Sequence, residues 1–242
     1  MKKLFLLTLF VSFTSLYSQS IKKGEELIHS MYKMYNGKWY KHFTFTQDAV
    51  FYKDGKEDKK EVWHEAATFP GNLVIKYDSM GSKNGVIFNN NTVCGIKDGI
   101  AKTPRPFIHD LLLVGFDVYF LNPERSIRLL DSLGYNLKIV HEDVFEGRKV
   151  IVVGAEKGDE KSNQFWIDAE RLYMHRVIYQ KTDHMDVRFE EYENMNGNWV
   201  AKKVTFIANG QLRMVEVYYN IKFPKGLNPS IFVAEKFTEA KW

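Results

Sequence analysis

Cysteine is almost missing from this chain: Cys94 is the only one in 242 residues. No disulfide can form within the molecule, so its stability must come from a packed core. A lipoprotein-type anchor needs a cysteine directly after a leader segment, and Gln19 and Ser20 stand there instead. Long apolar runs are scarce as well, and the one from Leu4 to Phe13 is too short to span a bilayer with ease. The six prolines gather into no linker, and no Gly- or Ser-rich tract or repeat divides the chain. Charge of one sign is also lacking. Without Lys2 and Lys3, 32 basic residues face 30 acidic ones, interspersed along the sequence. Nucleic acid calls for clustered Lys and Arg on one face, so no nucleic-acid partner is expected. The densest run, "KDGKEDKKE", mixes both signs around Asp54-Gly55 and reads as a solvated turn.

Residues 1–18 carry Lys2 and Lys3, then the short apolar run, then the small Ser18. This is the pattern of a cleaved secretory signal peptide. Residues 19–242 are then expected to form one exported domain, soluble and monomeric, in the periplasm of a Gram-negative cell.

Two periodicities organise that domain. In "IKKGEELIHSMYKMY", Leu27, Ile28, Met31, Met34 and Tyr35 recur at helical spacing. The helix should end at Asn36-Gly37, where a left-handed turn is easily made. From Trp39 the period becomes two. Runs such as "KHFTFTQDAVFY", "EVWHEAATF", "NLVIKY", "RKVIVVG", "WVAKKVTFI" and "LRMVEVYYNIKF" are separated by short Asp-, Asn- and Gly-rich turns. They predict an antiparallel meander of ten or eleven strands, too many to stay flat. One helical insertion interrupts it. Asn122 caps, Pro123 opens the first turn, and Ile127, Leu129, Leu130 and Leu133 form a stripe, with a shorter helix before it around Phe107–Gly115. The fold class is mainly β with a helical lid: a curled antiparallel sheet forming an open half-barrel.

The stretch "QFWIDAERLYMHRVIY" sharpens this reading. An even-numbered turn from Asp168 to Arg171 pairs Ile167 with Leu172 and Phe165 with Met174 on one apolar face. Trp166, Tyr173, His175 and Tyr179 share the other. Two helical segments cannot fill a ten-strand half-barrel, so a hydrophobic cavity should remain. Its candidate lining is Phe43, Phe45, Trp63, Ile75, Tyr77, Phe165, Ile167, Leu172 and Met174. The plainer alternative is that such inward residues are ordinary core.

The order of parts, with "FWID…L" as a strand-turn-strand signature, "NGNWVAKKVTFIANGQL" after it and a closing "GLNPSIFVAEKF", resembles the periplasmic lipoprotein carriers and outer-membrane lipoprotein receptors (LolA/LolB-like). It is also similar to sensor domains built on the same half-barrel. The resemblance implies a lidded cavity that accepts acyl chains. The receptors carry an acyl anchor and the carriers do not, so the missing cysteine places the chain with the carriers.

Catalytic patterns are poor by comparison. His64-Glu65 begins H-E-x-x-H, but Thr68 occupies the second His position. Ser82 is misplaced for a nucleophile elbow. No histidine pair has metal-ligand spacing, and no glycine-rich phosphate loop follows a strand and opens a helix. No metal or cofactor is expected. The expected function is burial of a lipid or of lipoprotein acyl chains, with envelope membrane proteins as further partners. Ten to fifteen methylenes at about 0.8 kcal/mol each suffice for micromolar affinity after association costs. A sensor module on the same fold and a hydrolase using His42, His64 and Glu65 are the alternatives.

Overall fold

Hairpin turns set the register of the sheet. In the turns Asp54-Gly55, Asn90-Asn91, Asp98-Gly99, Glu146-Gly147, Asn196-Gly197 and Asn209-Gly210 both central residues have positive φ. That geometry matches the twist of two antiparallel strands and favours Asn, Asp and Gly. A computed structural model of the chain describes residues 21–242, and the signal-peptide segment 1–18 lies outside the described residues.

The described chain starts with α1 (Gly24–Tyr35). Seven strands follow: β1 (His42–Lys53), β2 (Lys56–Thr68), β3 (Asn72–Tyr77), β4 (Gly85–Asn89), β5 (Thr92–Lys97), β6 (Ile100–Ala101) and β7 (Arg105–Pro106). The insertion provides α2 (Asp110–Gly115) and α3 (Pro123–Ser132), and the Asn122 side chain accepts from the Glu124 amide to cap α3. Seven more strands complete the order: β8 (Val140–Phe145), β9 (Arg148–Val153), β10 (Gln164–Asp168), β11 (Met174–Gln180), β12 (His184–Met195), β13 (Asn198–Ala208) and β14 (Gln211–Lys222). The surplus over the expected ten or eleven comes mainly from two-residue edge strands.

All fourteen strands join one antiparallel sheet, ordered β6-β5-β4-β3-β2-β1-β14-β13-β12-β11-β10-β9-β8, with β7 also on β5. Each half is a local meander, and the halves meet where β1 pairs with β14. The outer strands do not pair with each other, so the barrel stays open. Its edges are short at β6 and β7 and carry His141, Glu142 and Asp143 at β8, features that discourage edge-to-edge association.

The concave face holds the main core, in which Leu27, Ile28 and Met31 of α1, Leu111–Val114 of α2 and Leu130 of α3 pack against inward strand residues. Gly24 admits α1 to the sheet: its amide donates to the Leu137 carbonyl at 2.7 Å, and a Cβ would sit 2.6 Å from Val153 Cγ1. Tyr35 at the end of α1 meets Trp39 and Tyr119 edge-on, and the three ring centres lie 4.4–5.0 Å apart.

The hairpin β10–β11 departs from the even register. Ile167 pairs with Met174 and Phe165 with Val177, because a bulge leaves His175 without a partner on β10. The extra residue keeps Phe165, Ile167, Met174 and Val177 together on the concave face and turns Trp166 and Arg176 outward. Leu172 closes the turn with φ +51°. Tyr173 and Tyr179 join the concave core instead of the opposite face. The outer face is buried as well. Trp166 packs with Val150, Val152 and Phe145, and the Arg176 guanidinium lies 4.7 Å above its ring while gripping Asp186 through two 2.8 Å hydrogen bonds. The aspartate of "FWID" organises the turn: Asp168 accepts from the Glu170 and Arg171 amides at 3.0 and 2.7 Å and from Arg148 at 2.6 Å. Burial opposes its ionisation, but His175, Arg148 and the two amides together hold it well below the usual carboxylate range.

The C-terminal segment covers the convex face of β2–β5. Ile231, Phe232, Phe237 and Ala240 pack on Ala66, Val74, Ile87, Cys94 and Ile96. Beneath it Lys76 is fully buried, its Nζ donating to the Ala240 and Met80 carbonyls at 2.8 and 2.9 Å, 5.0 Å from the Phe237 ring centre. Gly85 makes this close approach feasible, since a Cβ there would lie 2.1 Å from the Ile75 carbonyl oxygen and 2.6 Å from Phe237 Cζ. Gly85→Ala is therefore expected to unseat the tail and cost about 3 kcal/mol or more, because backbone cannot retreat as a side chain can. Denaturant unfolding of the variant measures the loss, and protease sensitivity of residues 226–242 locates it.

Candidate functional site

α2 does not fill the half-barrel above β1–β4 and β12–β14. A cavity of about 280 Å³ remains between them. Its floor is Phe43 and Phe45 on β1, Trp63, Glu65 and Ala67 on β2, Leu73, Ile75 and Tyr77 on β3, and Val86 and Phe88 on β4. Phe189, Val204, Phe206, Met214, Glu216 and Tyr218 form the far wall, with His109, Leu111, Leu112 and Phe116 as the roof. The half-buried Trp63, Tyr77, Phe206 and Met214 mark the mouth, while Phe43, Ala67 and Phe69 close the deep end.

Five residues proposed from the sequence, Phe43, Phe45, Trp63, Ile75 and Tyr77, come together on this floor. The other four do not. Phe165, Ile167 and Leu172 belong to the half of the sheet that α1, α3 and the chain between them fill. Tyr135 packs edge-on to Phe165 at 5.6 Å, and the Tyr119 hydroxyl donates to the Leu172 carbonyl at 3.1 Å. Met174 packs on α2, where a Cβ at Gly115 would fall 2.8 Å from its Cε, and it borders only a crevice of about 20 Å³. The helices thus divide the labour. α1 and α3 fill one half of the barrel, and α2 packs on β11 with one side while its other side covers a void in the second half.

The wall is apolar with one exception. Along β1, Phe45, Gln47 and Ala49 share the concave face. Glu65 of β2 stands opposite Phe45, Glu216 of β14 opposite Ala49, and both Trp63 and Tyr218 opposite Gln47. Two carboxylates therefore bracket one carboxamide. Glu65 is 5 % exposed and Glu216 6 % exposed, and Gln47 is completely buried. Among the described residues Glu65 has no hydrogen-bond or ion-pair partner, and no Lys or Arg lines the cavity. Glu216 accepts from the Tyr218 hydroxyl at 3.1 Å. The Gln47 carboxamide, outside the cavity lining, is close enough to Glu216 to lower it, although neither of its polar atoms makes a well-aligned hydrogen bond.

Burial pushes Glu216 up to about 7, against the lowering pull of Gln47 and Tyr218. Burial, and then the neighbouring Glu216 charge, raise Glu65 well above the ordinary range. Tyr77 is pushed up to about 12 by burial and by Glu65 and Glu61. In the roof, burial depresses His109 to about 4, so it is neutral at pH 7 and brings no compensating charge.

Of the three residues suspected of hydrolysis, only Glu65 faces the cavity. His64 stands opposite Thr46 and Lys76 on the convex side, and His42 is held by Thr68 Oγ1 at 2.9 Å outside the lining. Glu216 was not singled out in the sequence, although a signal exists. Leu212, Met214 and Tyr218 share its alternation, so an acid stands in the apolar phase of the strand.

No protein-family model and no curated protein matches the chain. Solved structures do. A LolA superfamily protein from Nitrosomonas europaea is 10 % identical at a TM-score of 0.56, covering 87 % of this chain and 97 % of its own. A putative outer membrane lipoprotein-sorting protein domain from Vibrio parahaemolyticus is 12 % identical with a TM-score of 0.61, over 89 % and 98 %. A DUF1329 family protein from Desulfovibrio piger is 14 % identical with a TM-score of 0.57, over 86 % and 95 %. At these identities the likeness is one of fold, and the fold is LolA-like: a large open antiparallel sheet curled around a helical lid.

Proposed function

We propose that this protein is a periplasmic binding protein that carries an amphiphile, a lipid or an acylated peptide, with its chain in the cavity under α2. The observation that carries this reading is the cavity itself: a void walled almost wholly by aromatic and aliphatic side chains, on a fold whose solved examples include a putative lipoprotein-sorting domain. Among the described residues no helix is long and apolar enough to cross a membrane. The signal-peptide pattern of residues 1–18 supports export.

The mechanism is burial. At about 30 Å³ per group of water or methylene size, the cavity holds about nine methylenes. Their transfer from water is worth about 7 kcal/mol, and association consumes at least about 4 of it. A chain alone therefore binds no better than about millimolar in this cavity. Micromolar binding needs α2 to lift and admit a longer chain, or polar contacts besides. Lifting α2 would also open the route for release.

The reading is tested by mass spectrometry of what co-purifies from the native periplasm, together with titration of the neutral probe N-phenyl-1-naphthylamine. Stoichiometric lipid and saturable fluorescence are the expected results. Ala67→Phe places a ring in the deep end without touching the mouth. It should weaken probe binding by at least about tenfold, equivalent to about 1.4 kcal/mol, while the melting temperature holds or rises. An empty protein that ignores the probe would mean that the void is a packing defect.

A further inference from the structure

We infer that the cavity recognises an amphiphile bearing a basic amine, with Glu65 and Glu216 as the subsite for its ammonium group. This rests on the binding reading above and adds the chemical class of the head group to it. The argument begins with what the protein leaves undone. Two carboxylates, each more than nine-tenths buried, share the concave face on β2 and β14, the two strands that flank β1, and among the described residues no Lys or Arg lines the cavity with them. Folded interiors almost never retain such groups unless they are paired or hydrogen-bonded. One of them, Glu65, lines the void with no partner among the described residues. The Gln47 carboxamide between them has its oxygen and its nitrogen unpaired. Both carboxylates reach the cavity surface, and Gln47 lies behind it.

An ammonium group satisfies them together. It supplies the missing positive charge, donates to the unpartnered Glu65 with Glu216 as a second negative charge on the same wall, and leaves its chain in the aromatic remainder of the cavity. The alternatives fit less well. A carboxylate or phosphate head group would meet two acids and a neutral His109, with no Lys or Arg in the lining. A hydroxyl could make one of the hydrogen bonds but would leave the charge uncompensated. The other titratable groups facing the site are Tyr77 and Tyr218, whose burial keeps them neutral at pH 8. The chain is too short in this cavity to bind tightly by itself, so a charged head group is also the source of affinity that the apolar wall lacks.

The test uses dodecylamine, dodecanol and dodecanoate at pH 8, each displacing N-phenyl-1-naphthylamine from the full mature chain. The amine should bind at least about tenfold more tightly than the alcohol, with the carboxylate weakest. In the doubly substituted E65Q/E216Q protein, checked for folding by thermal melting, the ratio of amine to alcohol affinity should fall to about one. Equal binding of amine and alcohol to the unsubstituted protein would overturn the subsite and leave the carrier reading standing. So would an amine preference that survives in E65Q/E216Q. Failure of all three chains to displace a bound probe, or of the probe to bind, would overturn both. Should E65Q/E216Q fail to fold, the ranking of the three chains on the unsubstituted protein decides.

Discussion

Glu216→Gln is expected to stabilise the empty protein at pH 8 by about 3 kcal/mol, and to remove much of its loss of stability between pH 5 and 8. Burial moves Glu216 from 4.5 to about 7, and each unit corresponds to about 1.4 kcal/mol. The folded pKa is the higher one, so the favourable contribution is complete below the unfolded value. It is lost as the pH rises through about 7, where the buried carboxyl must ionise or remain protonated against solvent. Glutamine keeps the shape and the hydrogen bond from Tyr218 without a charge. Glu65, raised by burial and by Glu216, acts with the same sign, as does Asp117, which burial raises to about 7 despite its hydrogen bond from the Gly71 amide. Urea unfolding of both proteins at pH 5 and pH 8 measures the effect. At about 2–4 °C per kcal/mol for a chain of this size, melting curves would resolve it too. Identical pH dependence in the two proteins would show that Glu216 is solvated, and the cavity wetter than its lining suggests.

The second large effect separates core from cavity wall. Phe165→Ala should cost about 3–5 kcal/mol, the usual range for an aromatic removed from a packed interior. Phe165 is fully buried, with Tyr135 edge-on and Ile167, Met174 and Val177 on the same face. Phe45→Ala should cost no more than about 2 kcal/mol, since Phe45 already borders empty space on one side, with the rings of Tyr218 at 4.3 Å and Phe43 at 4.7 Å on the others. Binding should divide the other way. The Phe45 variant enlarges the cavity and should shift preference toward longer or branched chains, while the Phe165 variant, where it folds, should bind as the parent does. Denaturant midpoints and chain-length series on both proteins check this. Equal destabilisation would return Phe45 to the core.

This contrast also shows what could be read from the sequence. The meander was legible because its turns are written in Asn, Asp and Gly, and α3 because Asn122-Pro123-Glu124 is a capping sequence. The part of the cavity wall on β1–β3 followed from alternation alone, through Phe43, Phe45, Trp63, Ile75 and Tyr77. Alternation says which face a residue takes but not what covers that face. Phe165 and Phe45 therefore look alike in sequence, and only the landing places of α1, α2 and α3 tell them apart. The bulge at His175 was hidden for a related reason, since one unpaired residue shifts register without changing composition. Glu65 was noticed for the wrong motif, as part of H-E-x-x-H. Its real signal was an acid between Trp63 and Ala67 in the inward phase, repeated by Glu216 between Met214 and Tyr218. The tail that buries Lys76 left no periodic trace, because short helical turns follow neither period.

The seam between β1 and β14 has a consequence for the order of folding. The first strand of the sheet waits for the last, across about 170 residues, while every other pairing joins strands that are close in the chain. Hairpins within each meander can close in microseconds, but the seam must overcome the loop entropy of nearly the whole polypeptide. A chain delivered from its N-terminus thus holds β1 with one side unpaired until β14 arrives. The cavity, whose walls come from both halves, comes into being only with that final strand. A nascent or truncated chain without β14 therefore has no such enclosure to offer any ligand.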